Sequence, residues 1–246
     1  MAGRSSARVY GIAGITLPVV GVVRAARPLA GVLLLSGYIL GNRWPLAAVP
    51  RLWWSVGLLV MVPLAAAAVL LLERRVQDFL HGARGEQVVA RCLARLGEEY
   101  AVFHGVVLPG IRRRGGDIDH VVVGPEGVFA IETLNWRRGG RLENGSLLVG
   151  DDPPSYDPLA RARRLAAILQ GFLARNGGPA LEVTPVVCFA ANNFSGGLAG
   201  VNGVVVCNVN RLPDIFDRVA VHPLTPEERR RMERALRDWV ASGGTD

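Results

Sequence analysis

Lysine is absent from this chain of 246 residues, and all 28 basic side chains are arginine. Any step that needs a cation must therefore use a guanidinium, which stays protonated and clamps phosphate well but is a poor proton shuttle. Acids are absent from the start of the chain, and all 21 Asp and Glu lie from Glu73 onward. Cysteine is scarce: Cys92, Cys188 and Cys207 form an odd set among apolar neighbours, without the spacing of a metal site. They read as reduced core thiols, which argues against a disulfide scaffold and agrees with a reducing compartment. His81, His104, His120 and His222 are scattered and give no metal-ligand pattern.

What is present is unevenly spread. The formal net charge is +7, yet Arg4, Arg8, Arg24, Arg27, Arg43 and Arg51 all precede Glu73. The remainder of the chain sets the other 22 arginines against 21 acids and is close to neutral. A basic chain ordinarily suggests an anionic partner. Here the excess flanks apolar segments, so global charge is no argument for nucleic acid. A chain of this length holds one domain of roughly 150 residues beside a sizeable extra segment.

Residues 52–72, LWWSVGLLVMVPLAAAAVLLL, carry no charge and match the ~20 apolar residues that a membrane-crossing helix requires. Trp53 and Trp54 at one boundary and Arg74 and Arg75 at the other occupy interfacial positions. Pro63 is tolerated inside such a span and can kink it. The run 28–40, PLAGVLLLSGYIL, is short, but Arg27 and Arg43 can reach the interfaces and lengthen it. The sequence thus predicts a two-helix anchor over 28–72. The earlier run 9–23 can be read as the apolar part of a signal peptide, although Val23-Arg24-Ala25 is a poor cleavage site. Arginines before residue 28 and after residue 72 put both ends on the positive side. The expectation is a multi-pass cell-membrane protein with a cytoplasmic segment 1–27 and a cytoplasmic soluble domain over 80–210, followed by a helical tail over 211–246.

Within that domain, Val88, Val89, Cys92, Leu93 and Leu96 fall at helical spacing and predict a helix over 84–97. Strands are expected at 101–108, 117–123 and 128–134, the last two joined by the turn Gly124-Pro125-Glu126-Gly127. A second helix over 158–174 carries an apolar stripe of Leu165, Ile168, Leu169 and Phe172. Strands at 183–190 and 203–207 follow, then a helix that Thr225, Pro226 and Glu228 announce as a capping box. The order α-β-β-β-α-β with a β-α-α tail predicts an α/β sandwich around a mixed sheet.

Three acids stand where structure alone does not ask for them. Glu132 interrupts an apolar strand and shares a face with Ala130 and Leu134. Burying it there is costly unless it has a partner or a cation. Asp119, on the neighbouring strand, can lie beside it across the hairpin. Glu86 sits in the first turn of a helix, where the dipole favours an acid. Converging carboxylates of this kind are oxygen ligands for a hard cation such as Mg²⁺, which could hold a phosphate and activate water.

The stretch from Gly85-Glu86 through Gly116-Asp117-Ile118-Asp119-His120-Val121-Val122-Val123-Gly124-Pro125 and Gly127-Val128-Phe129-Ala130-Ile131-Glu132-Thr133 to Asp157-Pro158 resembles the nuclease-related domain, NERD, a branch of the PD-(D/E)xK nucleases. The resemblance covers about 84–190. It implies a restriction-endonuclease-like fold, catalytic roles for Glu86, Asp119 and Glu132, a metal held by Asp119 and Glu132, and phosphodiester cleavage in DNA.

Two family motifs are altered. The third-strand Glu-x-Lys reads Glu132-Thr133-Leu134, and Asn-Pro-x-x-Gln reads Asp157-Pro158-Leu159-Ala160-Arg161. Leucine can neither orient water nor neutralise a phosphate. Arg112, Arg113 and Arg114 before the second strand, and Arg137 and Arg138 after the third, are the expected nucleic-acid contacts and the candidates for the lysine's role. The favoured reading is a membrane-anchored, catalytically degenerate module that binds nucleic acid or another protein. The alternative is an active Mg²⁺-dependent nuclease of DNA or RNA that uses an arginine. A transporter is disfavoured, since two short spans offer no intramembrane acid, and no small-molecule cofactor is evident.

Overall fold

A computed structural model describes residues 6–13, 31, 77, 80–111, 116–179, 181–218 and 222–243. The chain divides into two compact units, 1–14 with 84–246, and 15–83. The second unit contains both expected spans, which lie outside the described residues apart from position 31. Among the described residues no helix is long and apolar enough to cross a membrane.

The first unit is built on a seven-stranded mixed sheet. Its strands are β1 (Arg8–Tyr10), β2 (Ala101–Val106), β3 (Ile118–Gly124), β4 (Gly127–Leu134), β7 (Val183–Phe189), β8 (Leu198–Val201) and β9 (Val204–Asn208). They lie in the order β1-β2-β3-β4-β7-β9-β8, and β5 (Gly140–Glu143) and β6 (Ser146–Val149) form a separate hairpin. β2, β3 and β4 make the expected antiparallel meander, while β4, β7 and β9 run parallel. A parallel return needs a crossover, and helix α2 (Pro158–Arg175) supplies it.

Alternation along each strand sends side chains to two cores. On one face Val102, Val122, Phe129 and Ile131 pack with Val89 and Leu93 of helix α1, helical over 84–93 in this unit, and with Ile215 and Phe216 of α3 (Pro213–Arg218). On the other, Phe103, Val121 and Ala130 pack with Leu165, Leu169 and Phe172 of α2 and with Met232 and Leu236 of α4 (Pro226–Ala241). The architecture is therefore the expected α/β sandwich. The Thr225 capping box is present, with Glu228 N–H donating to Thr225 Oγ1 and Thr225 N–H donating to Glu228 Oε2. The cysteines are free thiols, with Cys188 and Cys207 at paired positions of β7 and β9.

Four features depart from the sequence reading. Helix α1 ends at residue 93 rather than 97. The hairpins β5-β6 and β8-β9 went unread, although Asn144-Gly145 and Asn202-Gly203 connect them with positive φ at both residues, the signature of a type I′ turn. The expected boundary at 210 divides a continuous core, since Met232 and Leu236 are buried with Val121. The expected 1–27 segment contributes β1, which pairs parallel with β2. Tyr10 stacks on Phe103 with ring centroids 4.8 Å apart. The buried Glu233 of α4 accepts from Tyr10 Oη at 2.8 Å and pairs with Arg8 at 2.9 Å.

His104 and His120 face each other across β2 and β3, with Nδ1 atoms 2.7 Å apart, so one ring donates and the other accepts. Burial lowers His104 to about 4 and holds His120 well below its ordinary range. Both are therefore neutral in the fold, while the unfolded chain takes up protons near pH 6.5. Stability from the pair is complete above that pH and is lost as pH falls toward 4, by about 3 kcal/mol from His104 alone. Denaturation midpoints measured between pH 7.5 and 4.5 should fall along this limb. The double variant His104→Phe, His120→Phe should lose most of that slope, and an unchanged slope would assign it to other groups.

Candidate functional site

The β3-β4 ladder pairs His120 with Ile131 and stops there. One step further, at Asp119 and Glu132, the pairing no longer continues. Asp119 Oδ2 accepts the Thr133 backbone N–H at 2.7 Å, satisfying a donor that the ladder no longer uses. The two acids come together as the period-two argument expects, between the apolar clusters that flank the N-terminal half of α2.

Both are buried, Asp119 to 8% and Glu132 to 5% exposure. Glu86, on α1, is 7% exposed. Burial pushes Asp119 well above the usual carboxylate range, and the charges of Glu132 and Glu86 push it further, against the hydrogen bond from Thr133. Burial likewise raises Glu132, with Arg161 opposing. Glu86 is thus near enough to act on Asp119. Yet among the described residues no group of three or more His, Cys, Asp or Glu is arranged to hold a metal ion.

Among the described residues, the cation hydrogen-bonded to the acid pair is Arg161. Its Nε donates to Glu132 Oε1 at 2.6 Å, and its Nη2 donates to the Asp117 carbonyl at 3.4 Å. Burial works against the guanidinium, and Glu132 together with Asp119 and Tyr156 more than offsets it, so its pKa rises. The local sequence explains the reach. Asp157 caps α2, accepting from Leu159 and Ala160 N–H at 2.9 and 3.1 Å, with Pro158 at the first helical position. That start places the fourth residue after the cap over β4. Gly116 admits the guanidinium: its φ is +83°, and a Cβ there would lie 3.0 Å from Arg161 Nη2.

The other expected arginines are elsewhere. Arg112, Arg113 and Arg114 lie outside the described residues. Arg137 is exposed, and Arg138 is exposed and paired with Asp152 at 2.7 Å. Leu134 shares Glu132's face as expected, but its surroundings are apolar. It is 2% exposed and packs with Leu147, Leu159, Ala162 and Phe189. Sequence reading passed over Arg161 as a site residue, though the altered Gln position of the Asp157-Pro158 motif was the available signal. It also passed over Tyr156, whose hydroxyl is pushed up to about 12 by burial and then by Glu132.

One oxygen stays unanswered: among the described residues, buried Glu132 Oε2 has no hydrogen-bond partner. A buried carboxylate oxygen beside a second buried acid calls for a proton or a cation. Mg²⁺ typically takes only one or two protein carboxylates and keeps several waters, so Asp119 and Glu132 are a fitting donor pair.

Residues 81–190 match the family described as NERD, the nuclease-related domain. No curated protein and no solved structure matches the chain.

Proposed function

From a nuclease-related domain at residues 81–190, we propose a membrane-tethered, divalent-cation-dependent nuclease of the PD-(D/E)xK kind, in which Arg161 takes the role of the absent lysine. The observation that carries this reading is the buried pair Asp119 and Glu132, with a guanidinium on Glu132 Oε1 and no partner on Oε2. Asp119 and Glu132 would hold the cation, which when bound neutralises phosphoryl charge and lowers the pKa of water. Glu132 is oriented by Arg161, and Asp119 by the Thr133 N–H. Arg161 can add its charge where negative charge gathers on the phosphate. It cannot carry a proton.

A catalytically silent binding module is the second reading. It draws support from Leu134, whose apolar burial leaves the lysine position without any charge.

The strand β1 supports the membrane part of the proposal. β1 precedes unit 15–83 and β2 follows it, yet the two pair in one sheet. An excursion into a membrane between them must cross an even number of times, as a two-span anchor does. Gly11, Ile12 and Ala13 line one groove with Gln87, Ala90 and Arg91, so the chain leaves and rejoins this unit at neighbouring points. Cleavage near residue 25 would remove β1, which favours retention of the N-terminus. A fragment starting at residue 80 would also lack β1, so the full chain in detergent micelles is the material to test.

Cleavage of labelled DNA or RNA should require Mg²⁺ or Mn²⁺ and fall at least about a hundredfold in Glu132→Ala. Binding without any cleavage at enzyme excess, weakening steeply with salt, would replace the nuclease reading with the binding module.

A further inference from the structure

At the start of α2, the helix whose Arg161 grips Glu132, lies a groove of about 330 Å³, at the lower end of the ~300–1,000 Å³ common for small-ligand clefts. Leu147 and Leu148 of β6, Pro153, Pro154, Tyr156 and Arg163 line it. Leu159 of that lining packs with Leu134, two residues from Glu132 on β4, and Tyr156 in the same lining is 44% exposed. It also immediately precedes the Asp157 cap of the helix that delivers Arg161.

The chemistry of the walls selects the occupant. The start of α2 is no anion site, because Asp157 Oδ1 already takes the Leu159 and Ala160 N–H groups and adds a carboxylate to the lining. Arg163 is tied by Nη1 to the Asn202 carbonyl at 3.2 Å, and both residues line the groove. What remains is a mixed wall of leucine and proline surface, an aromatic face, Ser146 and a guanidinium held by Asn202, which suits a flat heteroaromatic ring with polar edges better than a phosphate. Aromatic faces stack on unpaired bases and tolerate any sequence. A base in a duplex would first have to leave its stack.

Resting on the nuclease reading, we infer that this groove is a base subsite: it takes one unpaired base of a single strand, on a nucleotide next to the phosphate held at Asp119 and Glu132, with Tyr156 as the stacking platform.

The test is fluorescence anisotropy with the full chain in micelles, with Ca²⁺ replacing Mg²⁺ to suppress cleavage. The probes are a labelled single-stranded oligonucleotide, its duplex, and a strand of the same length made entirely of abasic sugar phosphates. The single strand should bind about tenfold or more tighter than the other two. Tyr156→Ala should erase that preference and Tyr156→Trp should keep it. Equal binding of normal and abasic strands, or a preference that survives Tyr156→Ala, would overturn the subsite while leaving the acid site intact. Failure of every probe to bind would overturn the nuclease reading as well.

Discussion

Arg161→Ala is expected to destabilise the domain by about 3 kcal/mol, and Glu132→Gln in the same chain to return most of that loss. The side chains are 23% and 6% exposed, so removing the guanidinium strands a charge that water cannot reach. Breaking a buried pair commonly costs 3–5 kcal/mol, and the lower end applies because Arg161 keeps part of its surface in solvent. Glutamine keeps the shape of glutamate and removes the uncompensated charge, so the two changes should be strongly non-additive.

The pH dependence has a definite sign. Burial already raises Glu132, and without Arg161 only the weaker pull of Arg164 opposes it. The folded state then holds a proton that the unfolded chain releases, so stability falls as pH rises above the ordinary carboxylate value near 4.3. Arg161→Ala should therefore be less harmful at pH 5 than at pH 8, in thermal melts followed by circular dichroism. Mn²⁺ should recover part of the loss at pH 8 by binding the native state. An Arg161→Ala protein as stable as the parent, with no pH dependence of the difference, would mean that the ion pair does not form in solution.

Leu134→Lys, which restores the family's motif, is expected to lose about 3 kcal/mol or more and to gain no cleavage. Leu134 lies under α2 among Leu147, Leu159, Ala162 and Phe189. An ammonium there is desolvated, and the nearest acid is already engaged by Arg161. Adding Arg161→Gln frees Glu132 for the new lysine and rebuilds the motif glutamine. The double variant should recover stability and cleave faster than the parent. Denaturation midpoints and initial cleavage rates decide this. Faster cleavage by Leu134→Lys alone would show that position 134 opens onto the acids and that Arg161 is not in its way.

Much of the fold was legible because it is encoded locally. Apolar periodicity marked α2, the Gly124–Gly127 turn joined β3 to β4, and Thr225 with Glu228 announced α4. Even the meeting of Asp119 with Glu132 followed from period two and a tight hairpin. β1 was not legible, since three residues separated from β2 by some ninety positions carry no pattern that names their partner. The two Asn-Gly hairpins were written in the chain and went unread.

By itself, then, the sequence determined that two acids meet on one sheet face, that no lysine can serve them, and that a leucine holds the lysine's place. Only the tertiary structure decided which arginine reaches Glu132. Arg161 is 29 positions from Glu132, and their contact depends on the parallel return of β4 to β7, which lays α2 across both strands. Such a contact arises from packing between elements. Residue spacing along the chain does not record it.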